Sequence, residues 1–89
     1  MRSRTTRAFR EMLDALPEHV QRQADDAYRL FRSNPSHPGL RFKRVRRDRP
    51  LYSVRVGGQY RALGYLRENG MVWIWIGPHD EYQRLIARL

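Results

Sequence analysis

The chain predicts an α+β fold: an N-terminal helical hairpin packed on a small antiparallel sheet, a meander of three or four strands, and a short C-terminal helix. Three observations point there. Apolar residues recur at helical spacing as far as Phe31 and alternate from Leu40 onward. Two glycine-bearing turns, Gly57-Gly58 and Asn69-Gly70, divide the second half into consecutive strands. Between the second turn and Gly77-Pro78 lies Met71-Val72-Trp73-Ile74-Trp75-Ile76, six apolar residues in a row. That run is short and rich in β-branched and aromatic types, so it reads as a strand buried on both faces.

Taken in order, Thr5 or Thr6 can cap a first helix whose Phe9, Met12, Leu13 and Leu16 form one stripe. Pro17 suits the first position of a second helix, where Val20, Ala24, Ala27 and Phe31 repeat the spacing until Asn34-Pro35 stops it. The short link makes the two helices an antiparallel hairpin. Met1 to Arg4 is short and polar, an edge fragment at most. Leu40 to Val45, Leu51 to Val56 and Tyr60 to Leu66 are strands, with a basic loop over Arg46 to Pro50. A three-residue loop, Gly57-Gly58-Gln59, sets Val56 against Tyr60 and Val54 against Ala62. A two-residue loop would bury Arg61 beside Val54, which is costly without a partner. The next turn is expected to set Gly64 opposite Trp75 and Ala62 opposite Gly77. On this register Tyr52, Val54, Val56, Tyr60, Ala62 and Leu66 meet the helices. Ser53, Arg55, Arg61, Leu63 and Tyr65 line an open face. Glu81 to Leu89 is the last helix, capped by Asp80, with Tyr82, Leu85, Ile86 and Leu89 on its stripe.

The 89 residues make one domain, 1–89, and a chain of that size buries roughly 60–65% of its unfolded surface. Cysteine is absent and no apolar run approaches the ~20 residues that span a bilayer, so a soluble, unexported, cytoplasmic protein without a membrane partner is expected. Lys and Arg number 18 against 9 acids, a net charge of +9, and Lys43 is the one lysine. Arginine grips phosphate bidentately and stacks on bases. The balance therefore favours a nucleic-acid or acidic-protein partner over a merely solvated basic surface.

No phosphate-cradling glycine loop, Cys/His ligand spacing or serine nucleophile elbow is present, and three scattered histidines do not make a zinc site. No metal or other cofactor is expected. What remains is a basic surface with one titratable group near it. Cutting RNA without a metal requires a base for the 2′-hydroxyl, cations for charge growing on phosphorus and an acid for the leaving 5′-oxygen. His79 offers an imidazole for either proton task. Arg61 and Arg55 offer phosphate contacts, and Tyr82 a ring to stack or a hydroxyl to donate. Arg41, Lys43 and Arg44 read as an electrostatic track for RNA. Each has a plainer reading: His79 bonding backbone at a helix start, Tyr82 packing, the arginines as solvated charge. His19 and His37 read as surface and loop residues.

The order of elements, with the hairpin Tyr52-Ser53-Val54-Arg55-Val56-Gly57-Gly58-Gln59-Tyr60-Arg61-Ala62-Leu63 and the segment Ile76-Gly77-Pro78-His79-Asp80-Glu81-Tyr82, resembles the RelE/ParE superfamily of type II toxin–antitoxin toxins. The resemblance covers nearly the whole chain. It implies a toxin neutralised by a cognate antitoxin, acidic and encoded nearby. On its RelE side it implies a metal-independent endoribonuclease (an mRNA interferase) that cuts mRNA on the ribosome by 2′-hydroxyl attack and inhibits translation. Carried over position by position, Arg61 matches the arginine that contacts phosphate, and His79 and Tyr82 match the C-terminal catalytic or stacking positions. Asp80 departs from the pattern, since many members carry arginine after the histidine. Two alternatives stand beside this reading: a ParE-like toxin that poisons gyrase and cuts no RNA, and a non-catalytic basic module that binds RNA or an acidic protein.

Overall fold

The computed structural model describes residues 1–89. The elements run β1 (Ser3–Thr5), α1 (Arg7–Asp14), α2 (Glu18–Ser33), a single 3-10 turn over Pro38–Leu40, β2 (Lys43–Arg44), β3 (Leu51–Val56), β4 (Tyr60–Arg67), β5 (Gly70–Pro78) and α3 (His79–Arg88). The strands form one mixed sheet in the order β1-β5-β4-β3-β2. The expected α+β layout is present, with one strand more than the meander of three or four.

The added strand is β1. It pairs parallel to β5, Ser3 with Met71 and Thr5 with Trp73. Its residues are polar because its anchors are polar: Trp73 Nε1 donates to Ser3 Oγ at 2.6 Å and the Tyr28 hydroxyl donates to the Ser3 carbonyl at 2.7 Å. Thr6 then caps α1, its side chain accepting from the Phe9 N–H at 3.1 Å. α1 lies chiefly over β5 and α2 over β3, on the same side of the sheet. Gln21 Nε2 ties the link between them by donating to the Leu16 carbonyl at 2.9 Å. Beneath the helices, Phe9, Ala24, Phe31, Val54, Val56, Ala62, Met71, Trp73 and Ile76 make the main core. Phe31 meets the edges of Phe42 and Trp73 at centroid distances of 4.9 and 5.2 Å.

The β3–β4 register is the expected one, Val56 with Tyr60 and Val54 with Ala62. The β4–β5 register is not. Gly64 faces Trp73 and Ala62 faces Ile76, because Ile74 is an extra residue in a bulge between Leu63 and Gly64. Ile74 and Trp75 consequently face the same side. Gly64 is what lets β5 approach there: a Cβ on it would lie 2.7 Å from Trp73 Cε3 and 2.9 Å from the Val72 carbonyl.

Four further expectations are corrected. The run Leu40 to Val45 yields only the two-residue β2. The 3-10 turn buries Leu40, and Arg41 adopts a left-handed φ of 48°, so the chain bends before it can pair. The last helix starts at His79 with Pro78 as its cap, leaving Asp80 in the first turn. The second sheet face is not open, nor is β5 buried on both sides throughout, since Val72, Ile74 and Trp75 stay partly exposed. α3 lays Tyr82, Leu85 and Ile86 over Leu51, Leu63, Ile74 and Trp75 as a second, smaller core.

Candidate functional site

Arg55 and Arg61 are directly paired across β3 and β4. Strand alternation places both on the α3 side, beside buried Ser53 and Leu63. Like charges facing each other on a sheet are destabilising unless something compensates. No acid forms an ion pair with either guanidinium: the ion pairs are Arg7–Glu11, Asp25–Arg29 and Asp48 with Arg46 and Arg49. Instead each guanidinium takes one nearby carbonyl, Arg55 Nε donating to Gly57 at 2.9 Å and Arg61 Nη1 to Tyr60 at 2.9 Å. The remaining N–H groups have no protein partner in either case. Partial burial pushes the Arg61 guanidinium below its ordinary value, and the charges of Arg55 and Arg41 add to that effect. Arginine stays ionised regardless. The shift therefore measures how uncomfortable the charge is, and an arriving anion would relieve it. Three unneutralised arginines, 41, 55 and 61, thus converge at one end of the sheet.

His79 is held beside them by backbone. Gly77 pairs with Arg61, and the His79 N–H donates to the Gln59 carbonyl at 2.8 Å, so the start of α3 is stitched to the β3–β4 turn. The imidazole is half-buried and forms no hydrogen bond with protein; its centroid lies 6.0 Å from that of Tyr82. Asp80 and Glu81 follow, both exposed, where negative charge suits a helix N-terminus.

Tyr82 behaves differently from the expected catalytic or stacking residue. It is 8% exposed, packs with Leu51 and Leu63, and pairs its hydroxyl with Ser53 Oγ at 3.2 Å. The ring is covered and the hydroxyl occupied, so the plainer packing reading describes it. Ser53, which sequence reasoning gave no role, is the buried polar partner; its pairing with a tyrosine across the sheet left no local signal. Arg44 is likewise corrected. It sits opposite Tyr52 on the α1/α2 side, and its guanidinium donates to the carbonyls of Arg46, Arg49 and Arg47 at 2.8, 3.3 and 3.3 Å. It clamps its own loop. Lys43, opposite Ser53, shares the side of Arg55 and Arg61 and is exposed. No group of three His, Cys, Asp or Glu side chains could hold a metal ion, and no helix is long and apolar enough to cross a membrane.

A family model described as the ParE-like toxin domain matches residues 18–84, from the start of α2 well into α3. The chain belongs to the ParE-like toxin family. The matched span includes Arg41, Arg55, Arg61, His79 and Tyr82. No curated relative matches this family member by sequence. Among solved structures, the RelB–RelE antitoxin–toxin complex from Methanococcus jannaschii aligns with a TM-score of 0.72 at 15% identity, over 91% of this chain and 95% of that one. The archaeal RelE–RelB complex from Pyrococcus horikoshii gives 0.65 at 17% identity, over 86% and 92%. YafQ from Escherichia coli gives 0.72 at 8% identity, over 91% and 96%. This ParE-like toxin therefore has the RelE/ParE-superfamily fold across nearly its whole length.

Proposed function

We propose that this toxin is one half of a toxin–antitoxin pair and acts as a metal-independent endoribonuclease on mRNA held by the ribosome. The observation that carries the reading is the convergence of Arg41, Arg55 and Arg61, none of them in an ion pair and Arg61 partly desolvated, beside the half-buried imidazole of His79. Such a site suits a phosphodiester. The 2′-oxygen attacks the adjacent phosphorus, its proton is removed, the bond to the 5′-oxygen breaks and that oxygen takes up a proton. The products are a cyclic phosphate and a 5′-hydroxyl. Arg61 and Arg55 stabilise the extra negative charge on phosphorus where water is partly excluded. His79, stitched by its backbone to the β3–β4 turn beside Arg61, handles a proton. Lys43 and Arg41 hold the flanking backbone, and Tyr82 fixes α3 so that His79 stays in place.

The net charge of +9 and the two structurally similar archaeal proteins, each solved as a complex of toxin with antitoxin, support an antitoxin partner. An acidic segment laid over the arginine cluster would neutralise charge and cover the site together. A gyrase-directed reading has its own support in the ParE-like family match and in Asp80 and Glu81, which add negative charge beside His79. Purified ribosomes programmed with a defined mRNA separate the two. The ribonuclease reading predicts a discrete cut that a 2′-deoxy nucleotide at the cut position abolishes. Intact mRNA, with gyrase-dependent DNA breaks instead, would establish the other.

A further inference from the structure

A second group of arginines lies at the opposite end of the sheet. Arg61 pairs with Gly77 near one end of the β4–β5 ladder and Arg67 with Gly70 at the other, about 20 Å away at strand rise. There an open groove of ≈ 720 Å³ runs between the N-terminal strand, the end of α2 and the β4–β5 turn. Arg2, Arg4, Arg32 and Arg67 line it against a single acid, Glu68, and none of the four arginines is in an ion pair.

The groove is built by the fold rather than by chance of surface composition. Gly70 has a φ of +114°, and a Cβ there would run into the Arg2 carbonyl, which accepts from the Met71 N–H at 3.0 Å. The terminal ammonium donates to the Arg32 carbonyl at 3.0 Å, fixing the end of α2 against the N-terminal strand. Two of the guanidinium groups rest on aromatic faces, Arg67 at 4.8 Å from the Tyr65 centroid and Arg32 at 5.9 Å from that of Tyr28. Stacking fixes the plane of an arginine and leaves its N–H edges free for oxygen acceptors.

We propose that this groove is a second RNA-backbone site, which holds the phosphates of the same RNA chain that enters the arginine cluster at the other end. The choice of RNA rests on the ribonuclease reading; the choice of a phosphate backbone over an acidic peptide rests on the lining. Only Met71 and Val72 there are apolar, so the groove offers charge without pockets for side chains.

The test is binding of a fluorescent 2′-O-methyl oligouridine, which cannot be cleaved, measured by anisotropy over a salt series. The exposed side chains of Arg32 and Arg67 can be removed without touching the backbone contacts. Arg32→Ala with Arg67→Ala should weaken binding about tenfold and lower the slope of log affinity against log salt by roughly 0.7 per arginine. Glu68→Gln should tighten it, and Arg22→Ala, on the exposed surface of α2, should leave it unchanged. Unchanged affinity and slope in the double variant, while wild type binds, would overturn this inference alone. So would loss of binding to polyglutamate without loss of binding to the oligonucleotide. Failure of wild type to bind the oligonucleotide even at low salt would also overturn this inference, while the ribonuclease reading is decided separately by the cut on programmed ribosomes.

Discussion

Tyr82 and His79 stand three positions apart on one helix and divide the work. Tyr82 buries its ring and pairs its hydroxyl with Ser53; His79 keeps an unbonded imidazole at the surface. Tyr82→Phe should therefore destabilise the fold by about 1–2 kcal/mol, because it leaves Ser53 Oγ buried without a partner. Urea denaturation measures the loss, while activity per folded molecule should stay at the wild-type level. Arg61→Ala should leave stability nearly unchanged or raise it, since it relieves the repulsion with Arg55, and should cut cleavage by about 10²–10³-fold. Arg61→Lys should recover only part of that, because an ammonium cannot reproduce a bidentate grip. Hydrogen bonding from Arg46 holds the Asp48 carboxyl below the usual carboxylate range. A depressed folded value means the contribution is present above the unfolded carboxylate value and is lost as pH falls through the folded one. An NMR titration that follows the Asp48 carboxyl should therefore show it ionising at lower pH in the folded protein than in the unfolded chain.

Among the elements, those with a clear period were legible from sequence. β3 and β4 came out in register because Val54, Val56 and Ala62 alternate with Arg55 and Arg61, and a one-residue slip would have buried an arginine. The bulge in β5 was not legible, because Trp73-Ile74-Trp75 is apolar without a break and an unbroken run carries no alternation to fix register. β1 escaped for the opposite reason: its three residues are polar and its hold on the sheet comes from backbone pairing and from Trp73 and Tyr28. Of the site, Arg41, Arg55, Arg61 and His79 do converge at one end. The contact of Arg44 with a loop carbonyl and that of Tyr82 with Ser53 are not legible in sequence, because neither leaves a mark in local spacing. The packing of β4 on the bulged strand gives its own check. Gly64→Ala would place a methyl against Trp73, Met71 and the Val72 carbonyl, and it should cost roughly 1–3 kcal/mol in an equilibrium unfolding measurement.

At the scale of the whole molecule, a net charge of +9 on a body 33 × 31 × 26 Å implies self-repulsion that the four surface ion pairs do not offset. The melting temperature should rise from low to moderate sodium chloride, and rise further with a polyanion that occupies the arginine cluster, by linkage to binding. Thermal unfolding in the two conditions checks both. A melting temperature that falls with salt would mean the arginines are neutralised within the protein after all. The same charge distribution joins the arginine cluster, the distal groove and an acidic antitoxin in one account, in which the partner and the RNA compete for the same cations. The arginine cluster is central to both. The direct measurement is induced expression of the chain alone, with primer extension on a reporter mRNA, for wild type, Arg61→Ala and His79→Ala side by side. Discrete new 5′-ends in the wild type that disappear in both variants are the predicted result; growth arrest with intact mRNA, or the same ends at full strength in the variants, would contradict it.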